Sequence, residues 1–426
     1  MDRTKRGRRR PRQKSIFDPI HGAVTLSGTA LDLIGSQEFQ RLWGIRQTGF
    51  AHLVCPGANH TRLEHSLGVY WVAGAMARAL ELNAEEEEMV TVGGLLHDVG
   101  HAPFSHTLEP TMREVLGVNH ERRGRELIEG ERSLTPSTAL TPRVCEALES
   151  HGLAPSQVAD LIDPPGGSRE SSVLRDVLHG AIDADRIDYL QRDAHYTGVG
   201  HGAIDAVRII GTVRRYRGRL AFAGKGRSAL EGFLVGRSLM YTSVYYHKTV
   251  RSAEVMVQSA VERLPGFPGS AAPLFDLTDG DLLCELRRRD HRTRTLAEAL
   301  LVRRLYKRVA GLEPPVGARA SAWLKLARRP GARREAEDLI SDRLRLPPGS
   351  ALLDLAGLEA RPGSTSDWER VTVLEDGHPT YPFGAPSLWH EVARRSPTID
   401  PVSLYLPPEH RGVPQARLLR VLRDVG

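Results

Sequence analysis

The sequence predicts a mainly α protein, with an all-helical core followed by a smaller α+β lobe. Apolar residues recur at helical spacing through much of residues 15–265, most clearly over 61–82. Strand patterns are rare in that part of the chain, whereas 368–375 and 398–406 carry strand signals among many prolines. The composition changes at Pro265-Gly266-Phe267-Pro268-Gly269, which is the best candidate for a domain boundary.

The elements follow from local patterns taken in chain order. Asp18-Pro19 and His21-Gly22 are turn pairs, so residues 15–30 are predicted to form an initial loop and a short strand. The helix over 61–82 is followed by a second helix that opens with an acidic run and ends at Gly100 and Pro103. Further helices are predicted over 31–47, 119–130, 140–150, 172–193, 203–214, 228–263, 279–310 and 331–344, with a hairpin strand at 219–222.

Positive charge is concentrated at the N-terminus. Residues 1–14 hold eight Lys/Arg and one Asp, so the formal charge of +6 belongs to this segment and the rest of the chain is near neutral. Such a polar, basic tail is typical of disorder, and it could make a weak contact with nucleic acid. A solvated arm without a specific partner is the open alternative, and we see no basic face in the remaining sequence. The predicted organisation is a tail over 1–14, a helical core over 15–265 and an α+β lobe over 266–426.

Several classes of protein are disfavoured by composition. No apolar run reaches the length of a transmembrane helix, and no signal-peptide stretch follows the basic N-terminus. The three cysteines, Cys55, Cys145 and Cys284, are widely spaced and form no zinc pattern, so reduced thiols are expected. We therefore expect a cytoplasmic protein with no membrane contact.

The most informative segment is the decapeptide His97–His106, which holds three histidines and one aspartate directly after an apolar run. The adjacent His97-Asp98 pair is costly to desolvate unless something binds both side chains, as a divalent metal would. His65 and Asp185 could complete a set of two imidazoles and two carboxylates, which suits manganese, iron, nickel or zinc. Magnesium would more naturally enter with substrate phosphates. For any one of these residues alone, a satisfied polar group in the core is the simpler interpretation.

Several motifs occur in a fixed order along residues 15–260. They are Asp18-Pro19-Ile20-His21-Gly22, Glu38-Phe39-Gln40-Arg41-Leu42, Pro56-Gly57-Ala58, Arg62-Leu63-Glu64-His65-Ser66-Leu67-Gly68-Val69, His97–His106 and Asp183–Asp193. This ordered set resembles that of the HD-domain phosphohydrolases. It is most similar to the branch that contains the sterile-alpha-motif/HD-domain deoxynucleoside triphosphate (dNTP) triphosphohydrolases and their bacterial relatives, although we expect no sterile-alpha-motif domain here.

The resemblance implies roles for the histidine-rich residues. It makes a metal-activated water the nucleophile at the α-phosphorus, and it implies that His101, His106 and His120 line the phosphate side. We expect His106 to be the general acid for the leaving 5′-oxygen, because histidine ordinarily titrates near neutral pH. His120 and Glu109 would orient it, although the family commonly has Asp at the position of Glu109. The implied metal ligands are His65, His97, Asp98 and Asp185.

The resemblance also implies a substrate side. Asp185, Tyr189 and Asp193 recur every four residues and so share one helix face. By the resemblance, Tyr189 packs under the deoxyribose and leaves no room for a 2′-hydroxyl, while Asp193 accepts from the 3′-hydroxyl. For the phosphate and base contacts, surface charge and core aromatics are the alternatives. The other implied contacts are Gln47 at the sugar, Arg62, Arg186 and Arg237 at the phosphates, and Tyr245, His247 and Lys248 toward the base.

These features together predict a metal-dependent dNTP triphosphohydrolase that converts dNTP and water into deoxynucleoside and inorganic triphosphate. An HD-domain enzyme acting on nucleoside monophosphates or phosphodiesters is the closest alternative. A nucleic-acid-binding protein that uses the basic tail is an alternative from another class. Family resemblance also implies a homo-oligomer, either a dimer or a tetramer.

Overall fold

The computed structural model describes residues 13–135, 137, 139–165, 172–312, 318–358, 371–380 and 400–425. Over these residues the chain is mainly helical with small sheets, which confirms the predicted fold class. The predicted basic tail lies outside the described residues except for Gln13 and Lys14, which begin the first strand. In the described part of the chain, no helix combines the length and hydropathy needed to cross a bilayer.

The helices account for most of the described chain. Many begin at a residue whose side chain accepts a hydrogen bond from the first turn, as Asn83 does from the backbone N–H of Glu86 at 2.9 Å. The helices are α1 (Gly28–Leu33), α2 (Gln37–Gln40), α3 (Arg62–Ala79), α4 (Ala84–Leu96), α5 (Glu109–Leu116), α6 (His120–Ile128), α7 (Val144–Ser150), α8 (Pro155–Ile162), α9 (Val173–His179), α10 (Ala184–Thr197), α11 (Ala206–Gly211), α12 (Arg227–Met240), α13 (Lys248–Glu262), α14 (Asp279–Arg287), α15 (His291–Leu301), α16 (Ala318–Arg328), α17 (Ala332–Leu344) and α18 (Gln415–Val425).

The strands of the described residues form three small sheets. The first two strands make an antiparallel hairpin in which Gln13 pairs with Ser27. The second sheet has the order β3-β4-β7-β8, with β4 and β7 parallel, and the third has the order β5-β9-β6 with antiparallel neighbours. The strands are β1 (Gln13–Asp18), β2 (Gly22–Ser27), β3 (Val213–Tyr216), β4 (Arg219–Ala223), β5 (Lys307–Leu312), β6 (Leu352–Asp354), β7 (Thr372–Glu375), β8 (His378–Thr380) and β9 (Val402–Leu406).

A close crossing of α3 and α10 positions the candidate site. At the crossing point, a Cβ atom on Gly68 would clash with the side chains of Asp188 and Arg192. A side chain at this position would have to displace the buried ion pair between Asp188 and Arg192, so glycine lets α10 pack against α3 with that pair intact. The approach brings the first turn of α10, which carries Asp185, over His65 on α3.

Several predicted helices are shorter than expected because polar or glycine residues interrupt them. The predicted helix over 31–47 is broken at Ser36, whose hydroxyl caps α2. The predicted helix over 172–193 divides between α9 and α10 at Gly180 and Asp183, and Asp183 caps α10. A π-helical turn over Tyr241–Tyr245 separates α12 from α13. The predicted helix over 279–310 divides into α14 and α15 and gives way to β5, which the sequence did not indicate.

The hydrophobic packing extends past the predicted domain boundary. Buried side chains from Ala271 to Leu305 belong to the same core cluster as α13, and β7 pairs with β4. A separate cluster begins at Ala310 and contains α17, α18 and the third sheet. The predicted boundary at 265/266 therefore does not coincide with a break in the core, because the proline- and glycine-rich run is a turn within it. The division into domains beyond this packing stays a prediction.

Trp323 anchors the C-terminal cluster and offers a stability test. Its side chain is only 1% exposed and packs among the residues of this separate core. We expect Trp323→Ala to lower the free energy of unfolding by about 3–5 kcal/mol, because it leaves a large cavity. Urea denaturation checks this value. Leu339→Ala on α17 is the control, since Leu339 is exposed, and a loss below about 1 kcal/mol for Trp323→Ala would contradict the packing role.

Candidate metal centre and adjoining pocket

Four predicted ligands converge where α3, α4 and α10 meet. His65 Nε2 lies 3.0 Å from Asp185 Oδ1 and 3.7 Å from Asp98 Oδ2. His97 Nε2 lies 3.2 Å from Asp98 Oδ1 and 3.9 Å from Asp185 Oδ1. Two ligand atoms that each lie about 2.1 Å from one ion at a right angle are about 3 Å apart, so these separations suit a shared coordination shell.

Hydrogen bonds fix the tautomers of both histidines. His65 Nδ1 lies 2.7 Å from Asp188 Oδ2, and His97 Nδ1 lies 2.8 Å from the Gly94 carbonyl oxygen. Because a carboxylate and a carbonyl only accept, each Nδ1 carries a proton, which leaves Nε2 of each ring as the nitrogen that can bind a metal. Both Nε2 atoms are buried and make no hydrogen bond within the described residues. The histidines are therefore oriented as metal ligands.

The charges around the cluster favour a cation. Burial would lower the pKa of His65, but the neighbouring carboxylates of Asp185 and Asp188 raise it to about 10. Burial would raise the pKa of Asp98, but Arg62 and the nearby histidines hold it well below its usual range. A site that attracts a proton this strongly also attracts a divalent ion, and the buried nitrogen and carboxylate donors fit one.

Arg62 fixes one of the carboxylates. Its guanidinium is buried, with Nη1 2.5 Å from Asp98 Oδ2 and Nε 2.7 Å from the hydroxyl oxygen of Ser105. Arg62 also lines the adjoining cavity, where the resemblance placed it beside phosphates. It can therefore orient Asp98 and face a bound anion from the same position.

The other histidines form a second cluster beside the first. His101 stacks on His120 with ring centroids 3.9 Å apart, and the ring of His106 stands edge-on to both. Glu109 Oε2 lies 2.9 Å from His106 Nδ1 and 3.1 Å from His120 Nδ1. A Cβ atom on Gly100 would clash with the backbone of His120 and Gly124, so this glycine allows α6 to bring His120 against the decapeptide.

The electrostatics of this second cluster differ from ring to ring. Burial, together with Arg62 and His120, holds the pKa of His101 well below its ordinary value, so His101 is neutral. Burial opposes the charge on His120, but Glu109 raises the pKa of this histidine. Burial would likewise raise the pKa of Glu109, but hydrogen bonds from His106 and His120 lower it. Glu109 is therefore an ionised acceptor shared by two imidazoles.

Two buried arginines hold the backbone of the decapeptide. Sequence reasoning quoted Arg41 only as part of a motif and missed Arg123. Arg41 donates to the carbonyl oxygens of Val99 at 3.1 Å and His101 at 2.5 Å. Arg123 donates to the carbonyl oxygen of Gly100 at 2.7 Å and is paired with Asp276. Each carbonyl belongs to the turn between the metal-binding pair and the second histidine cluster, so the arginines fix the relative positions of both.

Asp279, at the start of α14, also holds the decapeptide. Its carboxylate accepts from the backbone N–H of Phe104 at 2.6 Å and from that of Arg46 at 3.0 Å. Phe104 and Ser105 have φ values of 57° and 58°, a left-handed conformation that non-glycine residues rarely adopt. Asp279 therefore stabilises the strained turn that directly precedes His106. No local sequence signal indicates this contact, because Asp279 lies 175 residues from Phe104.

Removal of the Asp279 carboxylate tests this contact. We expect Asp279→Ala to lower kcat by about tenfold to a hundredfold with bound metal unchanged, because His106 loses its fixed position. Steady-state kinetics and metal analysis check the expectation. Asp281→Ala is the matched control, since Asp281 is an exposed acid in the first turn of the same helix. A kcat close to that of the control would show that the turn holds without Asp279.

A cavity of about 400 Å³ adjoins both clusters. His247 and Lys248, predicted near the base, are not among the described residues that line it. The two residues instead begin α13, where His247 Nδ1 accepts from the backbone N–H of Thr249 at 3.2 Å. The predicted site residues that do line the cavity are Gln47, Arg62, His106, Asp185, Arg186, Tyr189, Asp193, Arg237 and Tyr245.

Both carboxylate oxygens of Asp193 make hydrogen bonds that the sequence did not predict. Its Oδ1 lies 2.7 Å from His60 Nε2, and its Oδ2 accepts from the Tyr245 hydroxyl at 2.5 Å. The hydroxyl of Tyr189 accepts from Arg237 Nε at 3.2 Å. Sequence reasoning did not include His60, because its role follows from a contact 133 residues along the chain.

Arg186 is tied to the start of its own helix. It donates through Nη1 to Asp183 Oδ2 at 2.7 Å and also to the Gly180 carbonyl oxygen. Asp183 in turn caps α10 by accepting from the backbone N–H of Arg186 at 2.8 Å. Burial raises the pKa of Asp183 to about 7, with Arg186 opposing that increase. The arginine is therefore held at the cavity wall by a residue that sequence reasoning had treated only as part of a motif.

A helical core that gathers one histidine, a His-Asp pair and a distant aspartate around one point defines a protein of the HD-domain type. The HD domain matches residues 62–193, and the HD-associated region matches 204–376. The chain therefore carries an HD domain followed by an HD-associated region. HD domains bind a divalent metal ion, in agreement with the cluster of His65, His97 and Asp98.

Known relatives share the sequence over part of their length. The chain is 37% identical over 252 residues to an uncharacterized protein of Methanocaldococcus jannaschii, covering 58% of this chain and 49% of the relative. It is 34% identical over 286 residues to the uncharacterized protein YwfO of Bacillus subtilis, covering 64% and 62%. It is 30% identical over 303 residues to the deoxynucleoside triphosphate triphosphohydrolase SAMHD1 of Gallus gallus, covering 62% and 48%. The alignments thus span about half to three-fifths of these relatives.

Two solved structures are similar over nearly the whole chain. A hypothetical protein from Aquifex aeolicus is 26% identical with a TM-score of 0.71, and the match covers 96% of this chain and 100% of that one. A phosphohydrolase from Bacteroides thetaiotaomicron is 25% identical with a TM-score of 0.68, covering 93% and 100%. The C-terminal cluster is therefore part of an architecture that recurs in these relatives.

Proposed function

We propose that the protein is a metal-dependent dNTP triphosphohydrolase that releases deoxynucleoside and inorganic triphosphate. The observation that carries the proposal is one cavity lined by a candidate metal ligand, by several arginines, and by a tyrosine and an aspartate that can contact a sugar. Asp185, Tyr189 and Asp193 line this cavity from one face of α10. A triphosphohydrolase also appears among the relatives at 30% identity, which supports the same substrate class.

The arginines that line the cavity can neutralise the negative charge of a polyphosphate. Arg62, Arg186 and Arg237 all line it, and each guanidinium can donate to phosphate oxygens. Arg62 lies against Asp98, so a phosphate bound to it would be next to the metal cluster. The α-phosphorus would then lie closest to the reacting groups.

The sugar end of the cavity supports a preference for deoxyribose. Tyr189 adds bulk at the cavity wall, where a ring packed under the sugar leaves no room for a 2′-hydroxyl. Asp193 already accepts from His60 and Tyr245, and each of its oxygens keeps a further lone pair that can accept from a 3′-hydroxyl. Discrimination by a filled pocket is about tenfold to a few hundredfold, so we expect preference rather than absolute exclusion of ribonucleotides.

Proton transfer to the leaving group is assigned to His106. Its side chain is 69% exposed and lines the cavity, and its Nδ1 is held by Glu109. Nε2 is therefore the atom that holds the proton for the 5′-oxygen as the bond from that oxygen to the α-phosphorus breaks. The neutral His101 lies between the two clusters, with Nε2 3.2 Å from Asp98 Oδ1.

The ligand set favours a transition metal. Two imidazoles and two carboxylates suit manganese, iron, nickel or zinc, and magnesium would accompany the triphosphate. When bound, such an ion lowers the pKa of a coordinated water and polarises a phosphoryl oxygen. The chain's own residues orient the donors: Asp188 and the Gly94 carbonyl hold the histidines, and Arg62 holds Asp98.

Product analysis tests the proposed reaction. The purified protein is incubated with each dNTP and each NTP in Mn²⁺ and ¹⁸O-labelled water, and products are identified by mass spectrometry. We expect deoxynucleoside and triphosphate, with the label in triphosphate because water attacks phosphorus. Pyrophosphate or orthophosphate as product would contradict the proposal. Hydrolysis of nucleoside monophosphates or phosphodiesters alone would favour the other HD-domain activities. The predicted dimer or tetramer, cytoplasmic location and tail contact stay predictions.

A further inference from the structure

The surface around α15 carries an uneven concentration of positive charge. Residues 287–308 contain nine Lys/Arg and only two acids, so the chain outside this stretch and the N-terminal tail carries a net negative charge. The stretch runs from the end of α14 through α15 to the start of β5. We call its four exposed and unpaired cations the basic surface: Arg287, Arg294, Arg303 and Lys307.

These four cations lack ion pairs, unlike most arginines in the part of the chain that the structure describes. Within the described ranges, no carboxylate oxygen lies within 4.0 Å of their charged atoms, whereas four other arginines of the stretch are paired: Arg288, Arg289, Arg304 and Arg308. Arg289 contacts Glu285 at 2.6 Å, and Arg304 contacts Glu409 at 3.4 Å. The charge of the basic surface is therefore uncompensated and available to an anion.

Backbone carbonyls hold two of the guanidinium groups in place. Arg294 donates through Nε to the Arg287 carbonyl oxygen at 3.0 Å and through Nη2 to that of Arg289 at 3.4 Å. Arg303 donates through Nε and Nη2 to the Leu53 carbonyl oxygen at 3.2 and 3.1 Å. Carbonyls orient a guanidinium without cancelling its charge, and each group keeps further N–H donors. Binding of an anion then costs less side-chain entropy than it does at a mobile arginine.

The spacing of the cations favours an extended polyanion. Helix α15 has 11 residues, which corresponds to about 16 Å, and the fixed arginines lie in its first half and just beyond its end. Leu301 and Val302 are 53% and 73% exposed and share the face of Arg294, at i+7 and i+8. A single small anion cannot contact both fixed arginines, whereas a sugar–phosphate backbone offers repeated charges with apolar sugar between them.

We propose that the basic surface binds the phosphate backbone of nucleic acid, separately from the cavity and from the N-terminal tail. Contacts to phosphate carry no sequence information, so the binding is independent of base sequence. Glu298 lies between the cations, four residues after Arg294 on the same helix, and is the one carboxylate of α15 itself. The negative charge of Glu298 would repel a phosphate backbone bound at the basic surface. The structure thus corrects the expectation that no basic face exists outside the tail.

Charge changes in both directions test the proposal. Anisotropy titrations use full-length protein with labelled 20-nucleotide single-stranded DNA, the same RNA and a 20-base-pair duplex, at several salt concentrations. We expect Arg294→Glu with Arg303→Glu to raise Kd about tenfold or more and to flatten the salt dependence. We expect Glu298→Lys to lower Kd. The matched control is Arg411→Glu with Arg420→Glu, which makes the same charge change at exposed arginines elsewhere.

The outcomes distinguish binding at the basic surface from binding by the tail or by net charge alone. A protein lacking residues 1–12 should still show the difference between the Arg294/Arg303 variant and its control. Equal weakening by both double variants would indicate a general charge effect and overturn the proposal, as would loss of all binding when only the tail is removed. Binding to polyglutamate or anionic phospholipid vesicles, but to none of the oligonucleotides, would also overturn it. Unchanged dNTP hydrolysis in the variants shows that they are folded.

Discussion

Asp185→Ala is expected to abolish stoichiometric metal binding and to lower turnover by about three orders of magnitude or more. Asp185 supplies the carboxylate nearest His65 Nε2, at 3.0 Å, and its loss removes one of four donors and one negative charge from the cluster. Its side chain is 35% exposed, so the substitution should leave the helical core intact. Metal analysis after gel filtration and the metal-dependent shift in Tm both measure the effect without relying on activity.

An alanine substitution at an aspartate far from the site is the control for Asp185→Ala. Asp424→Ala, at an exposed position on α18, should retain metal and activity. Retention of one equivalent of metal by Asp185→Ala would contradict its role as a ligand. Retained metal with lost turnover would instead assign Asp185 to the substrate side of the cavity, where it also lies.

The parts of the site that could be predicted are those encoded within one element. His97 and Asp98 are adjacent in the chain, and Asp185, Tyr189 and Asp193 follow the period of a single helix. Such local patterns carry their geometry with them, because a helix fixes which side chains share a face. The structure accordingly brings these residues together around the cluster and the cavity.

The residues that escaped prediction act across long sequence separations. Asp279 accepts a hydrogen bond from the backbone N–H of Phe104. Arg41 donates to the carbonyl oxygens of Val99 and His101, which lie 58 and 60 residues away in sequence. Neither contact leaves a local pattern, since a buried arginine or aspartate has the same neighbours in sequence whatever backbone it contacts. The assignment of His247 and Lys248 to the base stays a prediction, since both lie at the start of α13, after the π-helical turn, and neither is among the described residues that line the cavity.

The C-terminal region shows the same limit at the level of fold. The strand β5 pairs with β9, joining Lys307 to Leu406, and β9 also pairs with β6. Strand β5 has six residues and follows directly after a helical pattern, so the prediction extended that helix over the start of the strand. The α+β character of the lobe was predictable from its local helix and strand patterns, whereas the pairing of its strands was not.

His106→Ala is expected to keep the metal and lower kcat by about a hundredfold to ten-thousandfold, the range of a general acid. The residue is 69% exposed, so its loss leaves the fold intact, and His65, His97, Asp98 and Asp185 are untouched. A substrate whose leaving group needs no proton tests whether His106 acts as a general acid or only supports the structure of the site. Bis(p-nitrophenyl) phosphate, if the protein cleaves it, should lose far less rate than a dNTP.

Glu109→Gln tests proton transfer to the leaving group with a smaller change than His106→Ala. The glutamine still accepts one hydrogen bond but removes the charge that holds His106 and His120, so we expect a smaller loss than for His106→Ala. Equal loss of dNTP and p-nitrophenyl ester hydrolysis in His106→Ala would place the histidine in binding rather than in proton transfer. A kcat near that of the unmodified protein would remove it from the reaction, and His120 would then be the remaining imidazole beside Glu109 able to protonate the leaving oxygen.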